Sequence, residues 1–287
     1  MLNYQNSSIS HRNGQYHAKL PWKDEHSTLP RNETVAKQRT LSVIRRLRKD
    51  PDVLQMYGDI IADQERRGFI EKVECRENDG SKVHYIPHHP VKKDSSTTPI
   101  RIVFDCSCKV SPESPSLNDC LNETPPILND ITSILLRFRS QRYACTTDIE
   151  KAFLNIGLES EDRDVTRFFW LSDPTNPESD LEVYRFKSIL FGATCSPFIL
   201  SATILKHLDS NKCEFTETLV KDLYVDNIIS SFSDESRMLQ YFETSRSLFD
   251  KVGFNLRSWT SNSEALRDLA TKRNVSDKDE MTKILEL

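Results

Sequence analysis

Apolar positions change period repeatedly along this chain, and the changes mark out its elements. Between 33 and 49, Leu41, Ile44 and Leu47 recur at helical spacing among Arg39, Arg45, Arg46, Arg48 and Lys49, and Pro51 ends the pattern. Val53, Leu54, Tyr57, Ile60 and Ile61 predict a second helix that stops at Gly68. Phe69–Val73 and Lys82–Ile86 read as strands on either side of a turn at Asn78-Asp79-Gly80-Ser81, and Ile100–Phe104 as another strand. After a Pro/Ser-rich connector at 111–126, Ile127, Leu128, Ile131, Ile134, Leu135 and Phe138 predict a helix over 127–138. Tyr143–Ile149, Val165–Leu171 and Glu182–Ile189 have strand character, and Ser196–Leu208 is helical with Pro197 in its first turn. Residues 220–230, VKDLYVDNIIS, read as two short buried strands bent at Tyr224-Val225-Asp226-Asn227. A helix over 234–252 follows, with Ser233 as its cap and Met238, Phe242, Phe249 and Val252 on its buried face. The order predicts an α+β fold, a mostly antiparallel sheet backed by helices.

Composition narrows the classes of function. At 287 residues, 37% hydrophobic and 29% charged, the chain has the make-up of a soluble globular protein. A net charge of -4 gives no global basic signature, so any nucleic-acid contact must rest on local positive charge. Only 7 glycines are present, and no Walker or dinucleotide phosphate loop is among the motifs. Cys75, Cys106, Cys108, Cys120, Cys145, Cys195 and Cys213 show no paired zinc-knuckle spacing. Their odd number, without a signal peptide, predicts reduced thiols and an intracellular location. His84, His88 and His89 cluster without matched ligands, so no metal site is expected there. No apolar run approaches the ~20 residues of a membrane span, and no membrane partner is expected. Residues 1–20 are polar and aperiodic and read as a disordered tail.

Two lone carboxylates carry the candidate chemistry. Asp148 ends one strand and Asp226 sits in the bend between two others, both in apolar context. An unpaired carboxylate is costly to bury unless a cation or hydrogen bonds neutralise it. Two oxygen donors at one sheet edge suit Mg²⁺, usually held by one or two carboxylates plus substrate phosphates, and suit metal-assisted phosphoryl transfer. Asx residues are also ordinary turn formers, and spacing alone leaves both readings open.

TTDIEKAF (146–153), SILFGATCSPF (188–198) and LYVDN (223–227) resemble three ordered motifs of reverse transcriptases. More narrowly, the chain resembles the BEL/Pao group of LTR retrotransposon polymerases, from LPWKDEHSTLPRN (20–32) to NLRSWTSNSEAL (255–266). RIVFDCS, SLND, LLRFR, DRDVTRFFW and SPFILSATILKHL match in between. The resemblance implies the fingers and palm of a Pol polyprotein, with a ferredoxin/RRM-like antiparallel palm sheet. In that reading 1–20 is the tail, 21–142 the N-terminal helices and fingers, 143–262 the palm with fingers strands inserted around 165–190, and 263–287 a C-terminal helix or tail.

The implied activity is RNA-directed DNA polymerisation, in which a primer 3′-hydroxyl attacks the α-phosphate of a dNTP on an RNA or DNA template. Asp148 and Asp226 would hold the catalytic Mg²⁺ ions, with Mn²⁺ as an alternative and the Ile149 carbonyl as an extra ligand. Phe153 would exclude a ribose 2′-hydroxyl, and Arg101 and Lys93 (or the equally placed Lys92) would grip the triphosphate. Gly192 would admit the incoming base pair, Tyr224 would line the primer end, and Arg257 would stand late in the palm as a possible acid for pyrophosphate. The basic residues of the first helix would face the template. Location would be a cytoplasmic virus-like particle or the nucleus, alongside the rest of the polyprotein.

Two departures bear on activity. Asn227 replaces the second Asp of the YxDD motif, bringing an amide oxygen without charge. Nothing after the palm resembles a thumb or ribonuclease H, so processive synthesis by this chain alone is not expected. The competing reading is a catalytically inactive retrotransposon-derived fragment that binds nucleic acid or a protein partner.

Overall fold

The computed structural model describes residues 1–73, 82–92 and 100–277. The chain divides into two compact units, one of Met1–Tyr16, Pro125–Asn155 and Pro197–Leu287, the other of His17–Thr124 and Ile156–Ser196. The second is thus built from an N-terminal stretch and an insertion between Asn155 and Pro197, and the second segment of the first unit begins at Pro125, where the sequence reading set the palm at 143–262.

In the first unit, four strands pair antiparallel in the spatial order Leu223–Tyr224, Asn227–Phe232, Tyr143–Ile149, Leu256–Ser261. Strand alternation buries Cys145, Thr147 and Ile149 and leaves Thr146 and Asp148 on the more open face. The Glu235–Asp250 helix covers the buried face: Tyr241 packs on Phe232 with centroids 4.8 Å apart, and Phe242 on Trp259 at 4.7 Å. Asp234, not Ser233, caps this helix, its carboxylate accepting the Arg237 N–H at 2.8 Å.

The second unit holds an antiparallel sheet ordered Ile70–Lys72, Leu181–Phe186, Arg167–Leu171. A separate ribbon pairs His88–Lys92 with Ile100–Phe104, and the helices Glu33–Leu47 and Pro51–Arg66 belong to the same unit. Its core is aromatic, with Tyr57 stacked on Trp170 at 4.3 Å and Phe104 edge-on to Phe186 at 4.8 Å.

Several expectations need correction. Residues 1–20 are not a tail: they form a helix, Leu2–Ser8, and strands Ile9–Arg12 and Gln15–Ala18, with Ile9, Tyr16, Ala18 and Leu20 buried. Long-range anchors hold them, among them Gln5 Nε2–H to the Ala202 carbonyl at 2.8 Å and Lys206 Nζ to that of Ile9 at 2.7 Å. The helix expected from 127 starts at Ile131, because Asp130 accepts the Ser133 N–H and caps it there, leaving Ile127 and Leu128 exposed. The first strand expected within 220–225 is mostly a helix, Thr216–Asp222. Lys82–Ile86 holds only an isolated bridge at Tyr85, and the regular strand is His88–Lys92. The Asn78–Ser81 turn lies outside the described residues.

Candidate active site

The central strand Tyr143–Ile149 delivers Asp148 to one end of the four-stranded sheet, and the neighbouring hairpin delivers Asp226 to the same end. Asn227 is the register partner of Asp148, and Tyr224 pairs with Asn227 across the bend. The Ile149 N–H donates to the Asp226 carbonyl at 2.8 Å, which ties the bend to the residue after Asp148. Asn227 Nδ2–H donates to Asp226 Oδ1 at 3.1 Å, so its amide orients the adjacent carboxylate.

The bend stores strain. Val225, its first central residue, has φ +56°, a left-handed conformation that a β-branched side chain rarely adopts. Supports beneath it are specific: Asn129 Nδ2 donates to the carbonyls of Val220 and Leu223 at 2.7 and 2.9 Å, and Arg137 Nε to the buried Asp222 carboxylate at 3.2 Å. Burial, the larger effect, raises the Asp222 carboxyl above its ordinary value against the hydrogen bonds from Ser230 and Arg137.

On the other side of Asp148, Arg257 is its register partner in the Leu256–Ser261 strand. Arg257 Nε lies 3.2 Å from Asp148 Oδ2, and its Nη1 3.9 Å from Glu150 Oε1. The register shifts just after Arg257, where Ser258 has φ +52°. Such bulges bend a strand and re-aim its side chains.

Phe153 belongs to the short 3₁₀ turn Ala152–Asn155 of this unit and is 8% exposed, so the core reading of its ring holds alongside any contact with substrate. The first unit therefore gathers Asp148, Ile149, Asp226, Asn227, Tyr224 and Arg257 at one sheet end. Glu150 and its partner Asn255 escaped the sequence reading; the only available signal was the position of Glu150 within TTDIEKAF.

Arg101 and Gly192 belong to the second unit. Arg101 is exposed in the Ile100–Phe104 strand opposite Val91, Lys92 stands opposite Ile100, and Lys93 lies outside the described residues. Gly192 has φ +104°, and a Cβ there would stand 2.2 Å from the Phe104 carbonyl oxygen. Close backbone approach inside the unit thus accounts for this glycine. Asn118, from the SLND match, straps the same loop, donating to the Gly192 carbonyl at 3.1 Å and accepting the Thr194 N–H at 3.0 Å.

The same unit carries a cleft of about 490 Å³ lined by Arg39, Ser42, Val43, Arg46, His88 and His89. Arg39 pairs with Asp105 at 2.7 Å, whereas Arg46 has no hydrogen bond or ion pair from its guanidinium among the described residues. His88 is buried and satisfied: its Nε2–H donates to the Phe169 carbonyl at 2.8 Å, and Nδ1 accepts from the Tyr57 hydroxyl. Burial lowers its pKa to about 4.

The donor set at the sheet end includes the carboxylates of Asp148, 26% exposed, and of Asp226, which the backbone pairing brings to the same end. That chemistry fits a divalent cation held by one or two carboxylates and completed by substrate phosphates. Among the described residues no group of three or more His, Cys, Asp or Glu is gathered to hold a metal ion.

A family model described as reverse transcriptase (RNA-dependent DNA polymerase) matches residues 99–258, more than half of the chain. Among solved structures, the selenomethionine-labelled CSH mutant of prototype foamy virus protease–reverse transcriptase superposes with a TM-score of 0.52 at 17% identity, covering 89% of this chain and 29% of that one. The foamy viral protease–reverse transcriptase dRH, in complex with double-stranded DNA, gives 0.52 at 18%, covering 87% and 36%. The chain thus spans about a third of the length of these structures, and at such identities the likeness concerns the fold. No curated protein matches it. The match over 99–258 spans Asp148, Asp226 and Arg257, and the chain belongs to the reverse transcriptase family.

Proposed function

We propose that this chain is the polymerase portion of a retroelement reverse transcriptase, of the BEL/Pao group by the form of its motifs, and that it adds dNTPs to a primer 3′-hydroxyl on an RNA or DNA template. The observation that carries the reading is the placement of Asp148 and Asp226 at one end of one sheet, linked by the Ile149 N–H to Asp226 carbonyl hydrogen bond.

Asp148 and Asp226 would hold Mg²⁺, or Mn²⁺ in its place, with the Ile149 carbonyl as a further ligand. A bound divalent cation lowers the pKa of an attacking hydroxyl and stabilises the charge on the leaving oxygen. The residues supply position and neutralisation. Asn227 fixes the rotamer of Asp226 through its amide, which needs no charge of its own. Tyr224, beside Asn227, lines the primer end, and Phe153 excludes the ribose 2′-hydroxyl. In the other unit, the exposed Arg101 guanidinium suits triphosphate oxygens, and Lys93 is assigned the same role. The cleft with Arg39, Arg46 and His89 on its walls suits a phosphodiester of the template, a sequence-independent contact. We assign its action to a cytoplasmic particle or the nucleus, as one part of a Pol polyprotein.

The test is primer extension on an RNA template with Mg²⁺, comparing the chain with its Asp148→Asn variant. Extension by the first and not the second is expected, and extension that survives the substitution removes the assigned site. Salt-sensitive template binding without extension by either protein favours a binding fragment instead.

A further inference from the structure

Asp148 is claimed by a cation that the protein itself supplies. Arg257 reaches its Oδ2 at 3.2 Å from the adjacent strand, at the point where the register shifts. The same guanidinium stands 3.9 Å from Glu150, two residues beyond Asp148. Glu150 is fastened for this role. Its N–H donates to the Asn255 carbonyl at 2.9 Å, its Oε2 accepts from Asn255 Nδ2–H at 3.0 Å, and its own carbonyl accepts from Asn155 Nδ2–H at 2.6 Å. With Oε2 held by Asn255, Oε1 is the oxygen turned toward Arg257.

A guanidinium offers five N–H donors in a fixed fork, enough to serve two carboxylates, and no acceptor for a metal. A divalent cation on Asp148 needs the oxygens that Arg257 is bonding, and it repels the guanidinium at close range. Arg257 must then yield, and Glu150, already 3.9 Å from its Nη1, is an anion placed to receive it.

We propose that Arg257 is a transferable counter-cation: it neutralises Asp148 until a divalent cation arrives and then passes onto Glu150. The inference rests on the metal reading of Asp148 and Asp226. Arg257 is here a positioning residue, which never touches the reacting atoms. Its presence lowers the cost of crowding carboxylates at the sheet end, and its displacement weakens the intrinsic affinity for the cation. Occupancy is thereby linked to the arrival of a nucleotide, whose phosphates supply the missing ligands.

The experiment is a Mn²⁺ titration of the full chain, followed by the EPR signal of the free ion, with Asp148→Asn, Arg257→Gln, Arg257→Lys, Glu150→Gln and the Arg257→Gln/Glu150→Gln double variant. Circular dichroism and the melting midpoint check that each folds. Arg257→Gln is expected to tighten Mn²⁺ binding about three- to ten-fold, the range for removing one partly exposed charge interaction and its repulsion of the ion. Arg257→Lys, which keeps the charge, stays near the wild-type value. Glu150→Gln weakens binding about threefold in the wild type and less than twofold in the Arg257→Gln background, because the seat matters only while the arginine is there. Unchanged or weaker binding by Arg257→Gln overturns the proposal. So does an equal effect of Glu150→Gln in both backgrounds, which would make Glu150 a direct contributor to the metal field. Mn²⁺ binding that Asp148→Asn abolishes keeps the metal reading whatever Arg257 does, and binding that it leaves unchanged overturns both.

Discussion

Gly192→Ala tests whether the FG…SP loop is held by the contact described above. Two costs separate cleanly. The backbone has φ +104°, where an L side chain is strained by about 1–2 kcal/mol. The new Cβ would also stand 2.2 Å from the Phe104 carbonyl oxygen, with Cys106 Sγ at 3.5 Å. The obstacle is backbone in a paired strand, so relief requires moving the loop and its Asn118 strap, which overpacking data place at about 1–3 kcal/mol. The sum is about 2–5 kcal/mol, or a melting midpoint lower by about 5–15 °C for a unit of this size. Gly68→Ala is the control: φ is +75° there and nothing lies within 4 Å of the added methyl, so only the conformational cost of about 1 kcal/mol applies. Urea titrations followed by the fluorescence of Trp170, buried in the same unit, measure both variants. A Gly192→Ala loss within about 0.5 kcal/mol of the control would show that the Phe104 contact does not hold this loop.

Four further outcomes follow from named contacts. His88 is buried with its pKa lowered to about 4, so its unfolded form takes up a proton first: its contribution to stability is complete above pH 6.5 and is lost as pH falls through 4, about 3 kcal/mol in all. Urea midpoints at pH 7 and pH 4.5 should differ less in His88→Gln than in the wild type. Asn129→Ala strips the hydrogen bonds to Val220 and Leu223 and should cost about 1–3 kcal/mol by thermal melting, with weaker Mn²⁺ binding as the hairpin loosens. Arg46→Ala should weaken binding of a single-stranded RNA and reduce the slope of log affinity against log salt by about 0.7, while an unchanged slope would remove Arg46 from the phosphate contacts. Asn227→Asp gives up the amide N–H that orients Asp226 but adds a second carboxylate beside it, as in the YxDD form of the motif, and should retain or raise primer extension; loss of extension would show that the amide's hold on Asp226 is required.

The candidate carboxylates were legible because each signals locally. Asp148 lies at the end of a run of alternating burial and Asp226 in a bend beside apolar residues, so their positions needed only near neighbours, whereas the metal reading, which spacing left open against an ordinary turn, came from the resemblance to reverse transcriptase motifs. Arg257 and Glu150 form no such signal. Their pairing depends on a strand 109 residues after Asp148 and on the register shift that follows Arg257. The same holds for the N-terminal segment, whose few apolar residues show no period yet are buried, with anchors near residue 200. The strand expected from Val220 gives way to a helix, Thr216–Asp222, because so short an apolar run serves either element, and Asn129 bonds the carbonyls of Val220 and Leu223 where that helix ends. Gly192 was expected to admit the incoming base pair, and the close approach its missing Cβ permits within the unit, to the Phe104 carbonyl, is a tertiary contact that no local pattern signals.

Placement of the cation by Asp148 and Asp226 is tested most directly by replacing Mg²⁺ with Fe²⁺ and mapping where the bound ion cleaves the polypeptide on exposure to peroxide and ascorbate. Cleavage close to residues 148 and 226, suppressed by excess Mg²⁺ and by Asp148→Asn, is the expected pattern. Cleavage elsewhere, or at these positions but indifferent to Mg²⁺ and to Asp148→Asn, would contradict it.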